Sequence, residues 1–169
     1  MGGLGPAALA VAREELYVRE DVGLNRDSGG RIALYLSGCV RHGVRLGLGP
    51  PAPYCAAFAS WCAWEAWSLA VHKERPWVEV PDAAALHWSP ADRDLPLGAP
   101  PFGYRASVAE LCSDARATGR LHVVAHPAVV VAGGEYRPRV GDLAAVGRDG
   151  QSPLSGGLGH CAFYDGDAG

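Results

Sequence analysis

The sequence predicts an α+β domain, with helices first and a small antiparallel sheet second. Three observations lead there. Helix-type apolar spacing is confined to the residues before Gly119, and short β-like runs set off by Gly and Pro follow it. A length of 169 residues suits a single domain over 1–169 that can bury a core without metal or disulfide staples. With 49% apolar and 20% charged residues, the composition is that of a globular chain and not of a disordered one.

The first helix is expected over residues 6–20, with Pro6 in its first turn and Leu9, Val11, Ala12 and Leu16 forming its apolar stripe. A polar stretch from Gly23 to Gly30 reads as a loop. Ile32, Leu34, Tyr35, Leu36 and Val40 suggest a second helix ending near His42 and Gly43. Gly47 to Pro53 is a Gly/Pro loop that resets the chain direction. The third helix should run from Tyr54 or Cys55 to about His72, and it is apolar on nearly every side until Glu65, as a central helix is. Residues 76–105 hold six prolines and read as an irregular excursion over the site. Ser107 to Thr118 is the fourth helix, with Ser107 as cap, Glu110 at the capping-box position and Gly119 as stop. The strand-like runs are Leu121–Ala125, Ala128–Val131, Asp142–Val146 and Cys161–Tyr164.

Composition also narrows the function classes. Net charge is -3 and no Lys/Arg run stands out, so nucleic acid and anionic membrane are not expected partners. No apolar run reaches spanning length, so no membrane span is expected. The five cysteines are Cys39, Cys55, Cys62, Cys112 and Cys161, an odd number with no CxxC pair, which favours reduced thiols over a disulfide framework. The N-terminus lacks the basic and apolar regions of a secretory signal, and Pro6 breaks a myristoylation pattern, so synthesis in the cytoplasm is expected.

The chemistry centres on Cys55, in Pro53-Tyr54-Cys55-Ala56-Ala57-Phe58-Ala59-Ser60-Trp61. A thiol attacks as thiolate, and unpaired N–H groups with the positive dipole end of a helix favour that anion. The Cys55 N–H can also help bind an oxyanion, and Ala56 and Ala57 leave room for the helix to pack on a sheet. His160 is the expected base. A Gly-rich turn, Gly156-Gly157-Leu158-Gly159, leads into an apolar strand whose start can present the imidazole to a helix start. His160 would take the thiol proton and return it to a leaving amine.

These pieces, in their order, resemble the CHAP family and its NlpC-type relatives, papain-like amidases and endopeptidases acting mostly on peptidoglycan. The nucleophile motif is matched at Cys55 with Phe58 and Trp61. Pro138-Arg139-Val140-Gly141-Asp142-Leu143 matches the Pro-Gly-Asp turn imperfectly, and Gly159-His160 matches the Gly-His motif. The resemblance covers roughly Glu14 to the C-terminus. It implies a papain-like fold, with the nucleophile helix packed on the sheet. It also implies an amide substrate in peptidoglycan or another peptide, a Cys55 thioester, hydrolysis by His160-activated water, and no cofactor. The family's third catalytic residue normally lies on the strand after the His strand. Here only Asp165 and Asp167 follow, with Asp165 the candidate, which leaves open a C-terminal sheet cut short at residue 169. Delivery to the wall by lysis or a secretion apparatus fits the missing signal. A phage or secretion assembly, or an immunity protein, is a candidate partner on the same ground.

Plainer roles compete at each position. Free Cys is often a core hydrophobe, and that is the expectation for Cys62, Cys39, Cys112 and Cys161. Cys161 alternates with His160 along its strand and is expected to point away from the site. Asp142 should bond turn amides. Trp61, Trp64 and Trp67 form a mainly core stripe from which Trp64 would reach a substrate groove, and Tyr54 is assigned either to that cleft or to packing. His122 and His126 share a strand face and could offer zinc two nitrogens, but no carboxylate is adjacent and no metal is assigned. His42, His72 and His87 read as surface or loop residues. Three further readings stay open: a peptidase of proteins or small amides, a zinc hydrolase, and an inert binding or structural module on the same fold.

Overall fold

The computed structural model describes residues 4–21, 25, 27, 29–38, 44–72, 103–119, 138–147, 152–154 and 159–166. Among them the chain is α+β, with four helices and a two-stranded antiparallel sheet packed against the third helix. The elements are α1 (Leu4–Glu14), α2 (Arg31–Ser37), α3 (Cys55–His72), α4 (Val108–Ala117), β1 (Leu143–Gly147) and β2 (Gly159–Phe163). The strand-like runs at Leu121–Ala125 and Ala128–Val131, most of the proline-rich 76–105 stretch, and Cys39, His42, His87, His122, His126 and Asp167 lie outside the described residues.

Helix α3 is the axis of the fold because it has little polar surface to show to water. Ala56, Ala57, Trp61, Cys62, Ala63, Trp64, Ala66 and Trp67 are all buried on it, together with Ser60, Glu65 and Ser68. One side packs on α1 and α2, where Ala8, Val11, Ile32, Tyr35 and Leu36 meet Trp61. The other carries Ala56 and Ala59 against Val108, Leu111 and Cys112 of α4 and Cys161 of β2. Of the two alanines expected to face the sheet, Ala56 does so, joined by Ala59, whereas Ala57 packs in the cluster with α1 and α2.

Two helices are shorter than their apolar spacing suggests. α1 ends at Glu14 because Glu15 turns its carboxylate inward. It accepts from the guanidinium of Arg31, Nε at 2.9 Å and Nη2 in a second close contact, and from the Tyr35 hydroxyl at 2.6 Å. Leu16, expected on the buried stripe, is left 75% exposed beyond that turn. α2 stops at Ser37, since Gly38 follows at φ +86, where a Cβ would meet the Val44 carbonyl and the Leu46 N–H at 2.9 Å each. At its other end the Asp27 carboxylate accepts from the N–H groups of Arg31 and Ile32, at 3.0 and 2.7 Å.

α4 begins and ends within a residue of its expected bounds, but the capping box is not made. Ser107 sits at the N-cap with an extended backbone and no capping side-chain hydrogen bond. The segment before it is tied down instead by Arg105, whose guanidinium donates to Asp114 at 2.9 and 3.3 Å. The sheet pairs Ala145 with Cys161 and Val146 with His160. Asp142 serves its turn as expected: its carboxylate accepts from the Arg139 N–H at 2.6 Å, and its carbonyl accepts from the Tyr164 N–H at 2.8 Å.

Candidate functional site

The first residue of α3 is Cys55, half-buried where the helix start meets the start of β2. The first intrahelical hydrogen bond runs from the Phe58 N–H to the Tyr54 carbonyl at 2.7 Å. The N–H groups of Cys55, Ala56 and Ala57 therefore precede the helical ladder and aim their dipoles at the same end. The Cys55 Sγ lies 4.0 Å from the Gly159 carbonyl, which sets it directly beside the Gly159-His160-Cys161 backbone.

Strand alternation places Cys161 differently from expectation. Cys161 is buried, on the face that packs against α3 and α4, and His160 is on the exposed face. Cys161 packs in the cluster that Cys55 borders, and the Gly159 carbonyl, one residue before His160, is the hydrogen-bond partner of the Cys55 sulfur. Cys161 was expected to point away from the site. Instead the buried face of β2 is the face that meets the start of α3, so the residue facing the core also faces Cys55. A small apolar thiol next to a predicted base gives no sign of this in a linear pattern. Only the helix–strand crossing shows it.

These contacts set the protonation state. The Cys55 thiol is held down to about 5, first by the Cys161 thiol that donates to it. Burial works against that shift, and the Cys161 N–H and the His160 charge and hydrogen bond reinforce it. Cys161 is raised correspondingly: it keeps its proton because that proton is shared with Cys55 and because its surroundings are apolar. Cys62, two turns further along α3, is buried and its thiol is pushed well up by burial, in keeping with a core role. Cys112 is likewise buried and raised.

The remaining candidates are placed as follows. Asp165 does not turn back to the imidazole. Its carboxylate accepts from the Arg13 guanidinium of α1 in an exposed ion pair. By strand register His160 shares its face with Ala144, Val146 and Ala162, none of which can orient an imidazole. Tyr54 is half-buried beside Cys55, its ring tilted over that of Tyr35 and its hydroxyl donating to Glu20 at 3.4 Å. Burial and the Glu20 carboxylate raise that phenol. Trp64 is not at a groove. It is 4% exposed and packs edge-on against Trp67 and Tyr104, because the last turns of α3 run into the core.

Among the described residues no three His, Cys, Asp or Glu side chains gather as a metal site, and no helix is long and apolar enough to cross a membrane. Comparisons of the chain with family models, with curated proteins and with solved structures give no match.

Proposed function

We propose that the chain is a cysteine-dependent amidohydrolase or peptidase of papain-like arrangement, with Cys55 as nucleophile and His160 as base. The observation that carries this reading is the Cys55 thiol at the start of a buried helix, its sulfur 4.0 Å from the Gly159 carbonyl that immediately precedes His160. The Cys55 thiolate attacks the amide carbonyl carbon, and the N–H groups at the start of α3 receive the developing oxyanion. His160, carrying the proton, delivers it to the leaving nitrogen as the C–N bond breaks and a thioester remains. Water then attacks the thioester, giving its proton to His160, and the thiolate leaves. No cofactor enters this sequence.

The substrate class rests on the family resemblance of the Cys55, Gly141-Asp142 and Gly159-His160 segments, which points to the amide bonds of peptidoglycan. The imidazole's apolar neighbours on its own face give it less orientation than a triad would. We therefore expect a modest turnover, carried by the Cys55–His160 dyad.

The test is hydrolysis of purified cell walls, followed as turbidity loss and newly released amino groups, for wild type, Cys55→Ala and His160→Ala, with and without chelator. Activity lost in both variants and indifferent to chelator supports the reading. Unchanged activity in Cys55→Ala contradicts it, and chelator sensitivity would move the assignment to a zinc hydrolase. No activity on walls, proteins or small amides would assign the fold to an inert binding module.

A further inference from the structure

We propose that Cys55 and Cys161 form a reactive dithiol that a hydroperoxide converts to an intramolecular disulfide. The two residues come from elements far apart in sequence and meet where the start of α3 abuts β2. Cys161 sits buried in the apolar cluster that Cys55 borders. The Cys55 sulfur is also 4.0 Å from the Gly159 carbonyl, two residues before Cys161 on the same strand. The pair is asymmetric in the way a peroxide-reactive pair requires. Cys55 is partly open to solvent, whereas Cys161 is buried, with 6% exposed. A thiolate that peroxide can reach, next to a thiol it cannot reach, oxidises first and is then resolved by its neighbour.

The shared proton fits the same division of roles, since the sulfur that loses its proton readily is the exposed one and the sulfur that retains it is the buried one. In the first step the Cys55 thiolate attacks a peroxide oxygen. An S–O bond forms, the O–O bond breaks, and the departing hydroxide takes the Cys161 proton to give water. In the second step the Cys161 thiolate attacks the Cys55 sulfenic sulfur. The S–S bond forms, the S–O bond breaks, and the second hydroxide takes up the proton that Cys55 first released. Two thiols and one hydrogen peroxide give one disulfide and two waters, with each sulfur surrendering one electron. In the disulfide Cys55 is no longer a thiolate and cannot act as a nucleophile, so any reaction through Cys55 stops until a thiol reductant restores it. The dithiol itself does not depend on which substrate, if any, Cys55 attacks.

The experiment treats the folded full-length protein with a few equivalents of hydrogen peroxide, blocks remaining thiols under denaturing conditions, and maps cysteines by peptide mass spectrometry. Wild type should lose two hydrogens and yield the Cys55 peptide joined to the Cys161 peptide, with fragment ions separating Cys55 from Cys62. Dithiothreitol should reverse the change. Cys161→Ser should give no such link and should drive Cys55 to sulfinic acid instead; Cys161→Ala serves as a second variant with the same expectation. The proposal is overturned if wild-type Cys55 stays a thiol, if it goes to sulfinic acid while Cys161 remains free to alkylate, or if it joins any other cysteine.

Discussion

The Ser60 hydroxyl donates to the Arg105 carbonyl at 2.9 Å and accepts from the Arg105 N–H at 3.0 Å, so one side chain of the central helix replaces a whole strand partner for that residue. Ser60 is fully buried. Ser60→Ala therefore strands a backbone donor and acceptor, at a cost of about 1–3 kcal/mol. Urea unfolding should show the loss as a lower midpoint with an unchanged slope. A stability within experimental error of wild type would mean that the Arg105 segment finds other partners.

A second prediction concerns the buried ion pair that ends α1. Glu15 is 8% exposed and is held by Arg31 and Tyr35, and the Arg31 guanidinium also lies 5.2 Å from the centre of the Trp61 ring. Burial and the hydrogen bond to Glu15 push the Tyr35 phenol strongly upward, and the pair is shielded enough for its loss to matter. Arg31→Ala leaves a buried carboxylate with one neutral donor and should cost about 3 kcal/mol. Thermal unfolding should register it as a clear fall in Tm, larger than that for an exposed pair such as Arg13–Asp165, where Arg13→Ala should change stability by less than about 1 kcal/mol.

Helix α1 also braces the sheet through its first turn. Gly141 has φ +90, and a Cβ there would run into the backbone of Gly5 and Pro6. Gly141→Ala combines a left-handed strain of roughly 1–2 kcal/mol with overpacking of about 1–3 kcal/mol. Its N–H donates to the Tyr164 carbonyl at 2.8 Å, so the distortion falls on the end of β2. Amide exchange in β2 should quicken more than in α4; equal protection in both elements would count against this coupling.

Much of the frame was legible in the residue pattern, for local reasons. α3 announces itself through unbroken apolar character, α4 through its helical spacing and a Gly stop, and the two strands through short apolar runs between Gly turns. What the pattern missed depends on long-range partners. Nothing near Glu15 says that its carboxylate will be drawn to Arg31 and end the helix, nor does a conventional Ser-x-x-Glu start reveal that Ser107 will leave its cap unmade. The site divides in the same way. Cys55 was legible because a helix N-terminus acts on its own first residue. Cys161 was not, because its importance comes from a crossing of β2 with α3 separated by about a hundred residues of chain. Alternation along a strand tells which residues share a face but not which face meets the nucleophile. Trp64 and Asp165 failed as site residues for the same reason, one claimed by the core and the other by Arg13.

The central claim is that Cys55 is an activated thiolate at neutral pH, and the rate of its alkylation by iodoacetamide against pH tests this most directly. Because the folded thiol is lowered to about 5, the rate should be flat through neutrality and fall only below that value, roughly tenfold for each further pH unit. Cys161→Ser should keep part of the shift through its hydroxyl, whereas Cys161→Ala and His160→Ala should each move the midpoint upward. A wild-type midpoint near the ordinary cysteine value of about 8.5 would contradict the account.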